Sequence, residues 1–394
     1  MTNSVFDAAS LSSGSAVTYR SVAVDFTASA KLSETQAIVC SRRASPSPRG
    51  VCELLTLNGA SAPTAHGPAS NIYGAGASAG CEISMAALSA TTAVVCSNNC
   101  GAHYCHGLSV SGTTLSIGAE LATGESSRAQ TAMTRVDDTR AILCWFSSSN
   151  TYRTACAILK QITSDNTLSI GSALLLPQAS TGQHYRPKDA TMLSATTALV
   201  AISSYSHLSY NGAVIEITGE MTLGLVRTGY LSTSPYNGVE PRVATVDANT
   251  IINCFGDARS SGGGTFCVVV DVSASGFTRG TYLQLENRGH GNNGIDIAGI
   301  GSGVAVVCWR GTTVISGGGY AANCLAVKAD ETTLRPSPLS GQTVSQFMSG
   351  TDGNSGDGES LSLAAEATPS GPVGKALYCY TVSSVGRCRI VTLS

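Results

Sequence analysis

Seven near-copies of one nine-residue stretch run along this chain, and they constrain its fold more than any other feature. The clearest is Leu193-Ser-Ala-Thr-Thr-Ala-Leu-Val-Ala201. Before it come Leu32-Ser-Glu-Thr-Gln-Ala-Ile-Val-Cys40, Leu88-Ser-Ala-Thr-Thr-Ala-Val-Val-Cys96 and Val136-Asp-Asp-Thr-Arg-Ala-Ile-Leu-Cys144. After it come Val246-Asp-Ala-Asn-Thr-Ile-Ile-Asn-Cys254, the looser Ile300-Gly-Ser-Gly-Val-Ala-Val-Val-Cys308, and a segment ending Lys375-Ala-Leu-Tyr-Cys379. Each reads as the end of one strand, a tight polar turn and a short apolar strand. A unit that recurs in this way builds a fold by packing against its own copies.

Each repeat resolves into four short strands, a to d. In the third, 131–136 reads as a, 141–146 as b, 155–161 as c and 168–174 as d. The a–b and c–d turns are short and polar, whereas the b–c and d–a connections are longer and rich in Gly, Ser, Asn, Tyr and His. The strands are dense in Ala, Val, Ile and Leu with little alternation, as in sheets covered on both faces. No segment carries sustained helical periodicity. Four antiparallel strands repeated seven times, with terminal anchors 48 to 71 residues apart, predict an all-β, seven-bladed β-propeller in one domain. The repeats fall at roughly 18–75, 76–122, 123–176, 177–232, 233–286, 287–343 and 344–394. The last has room for strand c but not d. Residues 8–17 resemble the d strands Thr114-Leu-Ser-Ile-Gly118 and Thr167-Leu-Ser-Ile-Gly171, so an N-terminal strand is expected to complete the last blade and remove its open edge.

Cysteine placement follows the same ladder. Cys40, Cys96, Cys144, Cys254, Cys308 and Cys379 end the anchor stretches, and Cys52, Cys105, Cys156, Cys267, Cys324 and Cys388 follow in strand c. The fourth repeat has Ala201 and Ala213 instead, and no repeat has one cysteine of the pair without the other. These pairs are either small buried hydrophobes or cross-strand disulfides. Matched occurrence favours disulfides. Cys81 and Cys100 remain, and a bond between them is the simplest pairing. The run Cys100-Gly-Ala-His103-Tyr-Cys105-His106 also has zinc-like ligands, although Cys105 already has a partner by the repeat logic.

The pattern of anchor, Gly/Ser/Asn-rich loop, Ala-Val-Ile and Thr-Leu-Ser-Ile-Gly resembles repeat propellers of bacteriophage tail-associated proteins and marine bacterial surface proteins. The resemblance covers essentially the whole chain but lies in scaffold residues. It implies a virion or extracellular location, with other virion or tail proteins and a host surface glycan or protein as partners. Small apolar residues are the pattern's usual occupants of the paired positions, so the cysteines are a departure.

In a propeller the b–c and d–a connections share one rim. All six histidines and most tyrosines are assigned to it, and Trp145 and Trp309 directly follow strand-b cysteines. Aromatics with polar tips suit sugar or protein recognition. The candidate ligand-binding residues are Tyr104, His106, Trp145, Tyr152, Arg153, His184, Tyr185, Arg186, Tyr205, His207, Tyr210, Trp309 and Arg310. Asp352, Asn354, Asp357 and Glu359 form an acidic glycine-rich loop whose oxygens could hold calcium, though without EF-hand spacing. No other cofactor is expected.

A net charge of -2 gives no electrostatic case for nucleic acid, and no apolar run is long enough to span a bilayer. The first residues lack the blocks of a secretory signal, so export by another route is expected. The His-Glu-x-x-His helix, the P-loop and the Ser-x-Asp-x-Gly-x-x-Trp box of sialidase propellers are all missing. Asp257, Glu240, Asp296 and Glu359 lie in or near rim loops, but their scatter singles out no catalytic pair. The resulting expectation is a non-enzymatic virion or tail-associated structural and receptor-binding propeller. The alternatives are a secreted or surface lectin of cellular origin and a glycan-cleaving propeller enzyme.

Overall fold

The computed structural model describes residues 11–13, 15–20, 24–43, 49–58, 62–72, 83–98, 103–123, 131–147, 152–162, 164–177, 185–204, 211–232, 238–257, 264–273, 275–286, 294–314, 320–339, 345–346, 362–365, 375–382 and 385–393. Every helix or strand among them is a strand. They form seven antiparallel sheets in the order a-b-c-d, with strand d split into two short pieces in four of them. The seven a strands are Val24–Lys31, Ile83–Ala87, Thr131–Arg135, Tyr185–Met192, Gly238–Asp247, Ile295–Gly301 and Ser362–Ala365, and they begin blades 1 to 7 in that order. Each lies against the a strand of the next blade, and the last lies against the first. The ring therefore closes, with the a strands around its axis. Leu11–Ser13 and Val17–Arg20 both pair with Val385–Leu393, strand c of blade 7, so the N-terminal segment supplies the outer strand of the last blade.

The anchor stretch folds as a hairpin because its turn residues satisfy their own backbone. In blade 4 the Ser194 hydroxyl accepts the N–H groups of Thr196 and Thr197 at 3.2 and 3.1 Å. In blade 3 the Asp137 carboxylate does the same for Thr139 and Arg140 at 2.9 and 2.8 Å. Such local bonds select the turn over any continuing strand. The apolar strands on either side are buried between blades. Ile142, Cys144, Cys156 and Ile158 of blade 3, for example, share a core with Ala190, Val200 and Ile215 of blade 4. Full burial of one such aliphatic side chain stabilises by roughly 1.5–3 kcal/mol.

The glycine ending Thr-Leu-Ser-Ile-Gly has a definite task. A Cβ on Gly118 would overlap the backbone carbonyl of Asn166, in the c–d turn of blade 3, and a Cβ on Gly171 would overlap that of Met221, in the c–d turn of blade 4. Each turn thus docks on the bare backbone of the blade before it.

Six disulfides are present among the described residues: Cys40–Cys52, Cys96–Cys105, Cys144–Cys156, Cys254–Cys267, Cys308–Cys324 and Cys379–Cys388. Each joins directly opposed residues of strands b and c, at Cα separations of 4.0 to 4.1 Å. Such bonds persist in oxidising surroundings and mark an extracellular or secreted protein.

The fourth blade departs from the expected pairing. Ala201 faces Gly212, while Ala213 faces Val200, so the counterpart of the strand-c cysteine is Gly212 rather than Ala213. A Cβ on Gly212 would stand 2.6 Å from Phe277 Cε2, 3.0 Å from Leu231 Cγ and 3.1 Å from Leu199 Cδ1. Phe277 of blade 5 occupies the space a disulfide would need. The double variant A201C/G212C is therefore expected to melt below the parent, and adding Phe277→Ala to recover much of the loss by admitting the bond. Thiol titration with thermal melting checks both steps.

Candidate active site

The sevenfold pattern breaks on the inner strands. The a-strand residue opposite each strand-b anchor is Ala28, Ser84 and Ala132 in blades 1 to 3. In blades 4 to 6 it is Asp189, Arg242 and Asp296. Strand a starts at the d–a connection, and these charges stand at the second to fifth positions of their strands from that end. Two irregularities widen the cluster. The pairing of strand a shifts between Pro187 and Asp189 in blade 4 and between Val239 and Arg242 in blade 5, which brings in Lys188 and Glu240. Bulges of this kind re-aim side chains and recur beside active sites. Glu240 also has a φ of 56°, a left-handed conformation that costs a non-glycine residue about 1–3 kcal/mol.

The contacts span three blades. Lys188 donates to Glu240 Oε1 across the blade 4–5 boundary. The Arg242 guanidinium lies 3.8 Å from Glu240 Oε2 through Nη2 and 3.7 Å from Asp296 Oδ1 through Nε. Both are ion-pair distances, longer than hydrogen bonds. Arg242 Nη1 donates to the Lys188 carbonyl at 2.5 Å. Asp189 is turned inward, with Oδ2 accepting the Val243 N–H and Oδ1 the Ala190 N–H, both at 2.8 Å. One layer further along the axis, the Thr191 and Thr245 hydroxyls meet at 2.9 Å. These side chains serve the inner-edge backbone that an edge strand leaves unpaired.

The electrostatics separate the acids. Burial pushes the Asp189 carboxyl above its ordinary value, and neither Arg242 nor the two backbone N–H groups offset it. Burial pushes Glu240 upward as well, but Lys188 and Arg242, with help from Arg186, more than offset it and hold the carboxyl below the usual range. Glu240 is thus ionised at neutral pH.

Lys188 is 6% exposed at its side chain and Glu240 23%, so Lys188→Met should lower stability by about 2–3 kcal/mol through loss of a charge-assisted bond. A depressed folded-state pKa stabilises above the ordinary glutamate value, and that stability is lost as pH falls through the depressed one. The gap in melting temperature between parent and variant should therefore be full at neutral pH and shrink across that acidic window. Asp189, shifted upward, works in the opposite sense.

The residues expected on the rim divide differently. Trp145 and Trp309 are 2% and 1% exposed and pack into inter-blade cores, where Trp309 Nε1 donates to Glu286 at 2.6 Å. Tyr185 is buried in another such core. His106 is buried, its Nδ1 donating to the Gly118 carbonyl at 3.1 Å. His66 lies within strand d of blade 1, 2.6 Å from the Thr56 hydroxyl. The two tryptophans and Tyr185 thus pack between blades, away from solvent. Tyr104 and Arg153 are half-buried at the loop ends of their c strands. Tyr152 is exposed and Arg186 half-buried near the charged cluster. His184, Tyr205, His207, Tyr210 and the Arg310 side chain lie outside the described residues. So do Cys81, Cys100 and the calcium candidates Asp352, Asn354, Asp357 and Glu359. Among the described residues no group of acids, histidines and cysteines could hold a metal ion.

No family model matches the chain, and no curated protein matches it. Solved structures do. A protein from Lactobacillus plantarum is 15% identical with a TM-score of 0.52, over 80% of this chain and 83% of that one. A putative 6-phosphogluconolactonase from Bacteroides uniformis is 12% identical with a TM-score of 0.50, over 82% and 88%. The NanB sialidase of Streptococcus pneumoniae is 9% identical with a TM-score of 0.46, over 95% and 69%. The expectation of a non-enzymatic virion or tail protein is corrected here. The Bacteroides uniformis protein carries an enzyme name, and neither it nor the Lactobacillus plantarum protein is named as a tail or marine surface protein. At such identities no substrate carries across. What the likeness and the closed ring of inner strands establish together is the fold: a seven-bladed β-propeller.

Proposed function

We propose that the chain is an extracellular, glycan-cleaving propeller enzyme whose working carboxylates are Glu240 and Asp296. The observation that carries this reading is that the two flank a single guanidinium, that of Arg242, where blades 4 to 6 depart from the repeat. Glycosidic bonds are cleaved by such pairs, one carboxyl protonating the leaving oxygen while the other attacks the sugar or activates water. Glu240, held ionised, suits the second part, and Asp296 is assigned the first. Asp189 is excluded because both its oxygens accept backbone N–H groups. The enzyme name of the Bacteroides uniformis relative is compatible with this reading and says nothing of the substrate. Incubating the protein with a panel of plant, algal and bacterial polysaccharides and assaying new reducing ends tests the proposal. Release from at least one polymer is expected. Binding without release from any would overturn it in favour of a surface lectin.

A further inference from the structure

One aromatic beside this cluster is built unlike the rest. Phe146 lies near the end of strand b of blade 3, Arg140–Ser147, and is 4% exposed. The Tyr152 ring stacks on it, with centroids 6.0 Å apart and planes inclined by 25°. The guanidinium carbon of Arg186, from strand a of blade 4, lies 5.6 Å from the centre of the same Phe146 ring. Tyr152 itself is 45% exposed, so a large part of an anchored aromatic is open to solvent. Among the described residues the other strongly exposed tyrosine, Tyr230, ends the outer strand Thr222–Tyr230 of blade 4, away from the inner strands.

Its backbone is equally particular. Tyr152 has a φ of 63°, a region in which a bulky residue is a real outlier. That conformation is pinned across the blade boundary by the Tyr185 N–H, which donates to the Tyr152 carbonyl at 3.2 Å. Strain of this kind persists only where its surroundings impose it, and it concentrates at ligand-binding sites. Arg186 ties the stack to the acid pair, since it lies two residues before Lys188, the partner of Glu240, on strand a of blade 4, and its charge contributes to holding Glu240 ionised. A flat, half-open ring stacked on a buried neighbour suits a pyranose, whose apolar C–H face it accepts.

We propose that Tyr152 is the sugar-stacking platform of the Glu240–Asp296 site and determines which pyranose faces it accepts. The proposal rests on the glycan reading above but not on catalysis. Calorimetric titration in a Glu240→Gln background, with cellohexaose, xylohexaose, chitohexaose and hexagalacturonate as probes, separates the two. At least one probe should bind. Tyr152→Ala should weaken that binding about tenfold or more, while Tyr152→Phe, which keeps the ring face, should leave it within about twofold. Unchanged binding in Tyr152→Ala, equal losses in both variants, or no binding of any probe would overturn the platform. Binding that depends on Tyr152 in a parent protein that cleaves nothing would leave the platform standing and remove the enzyme. Cleavage with an unaltered KM in Tyr152→Ala would do the reverse.

Discussion

Reduced and alkylated, the chain should lose its cooperative fold at 37 °C. Each of the six disulfides closes a loop between residues 9 to 16 positions apart, and each bond of this kind stabilises by about 2–4 kcal/mol, chiefly by restricting the unfolded chain. Together they rival or exceed the roughly 5–15 kcal/mol net stability of a typical domain. The loss should spread round the ring, because five of the pairs also pack in an inter-blade core, as Cys254 and Cys267 do against Ile297, Val307 and Trp309 of blade 6. Blade 4 has no such bond, so partial reduction should open the other blades toward its level of protection and not below it. Hydrogen exchange along a reduction series would show this. A reduced protein that kept its melting temperature within a few degrees would mean the blades hold together by burial alone.

The second large effect is on turnover. Glu240→Gln keeps the size of the side chain and removes its charge, so general base or nucleophilic assistance is lost. The rate of glycan cleavage should fall by about 10²–10⁴, with KM changing far less, since the substitution affects the reacting centre more than the binding surface. The acid limb of the parent's pH–rate profile should lie below the ordinary glutamate range, because Lys188 and Arg242 keep Glu240 ionised there. Removing Lys188 should move that limb upward. Steady-state kinetics of parent, Glu240→Gln and Lys188→Met across pH would test both statements. A drop confined to KM would assign Glu240 to binding alone.

Much of the ring could be read from the repeats. The anchor turns, the missing last strand and the resemblance of residues 8–17 to a d strand are local signals, and local hydrogen bonds and pairing realise them. The disulfide ladder followed for the same reason, since opposed positions in a hairpin are fixed by the turn that joins the strands. The slip from Gly212 to Ala213 arose because an alanine looks like the natural stand-in for cysteine. Only the position of Phe277, a long-range packing fact, shows why the site must be glycine.

The candidate site is harder to read from the sequence because loop aromatics are the conspicuous residues, while the break in the sevenfold pattern lies inside the repeated strands. Counted back four residues from Leu32, Leu88, Val136, Leu193, Val246 and Ile300, the chain reads Ala28, Ser84, Ala132, Asp189, Arg242 and Asp296. That signal was present in the sequence. The bulges that bring in Lys188 and Glu240 were not, because they depend on inner-edge pairing that no pattern of residue types encodes. Trp145, Trp309 and Tyr185 misled for a related reason: the blades bury strand ends right up to the rim.

The most direct measurement compares two substitutions at the same layer of the ring. Asp296→Asn in blade 6 and Ser84→Ala in blade 2 alter equivalent a-strand positions, each opposite its strand-b cysteine. If activity resides where blades 4 to 6 depart from the repeat, glycan turnover should fall at least about a hundredfold in Asp296→Asn and stay at the parental rate in Ser84→Ala. Equal rates in the two variants would contradict a catalytic site on those inner strands.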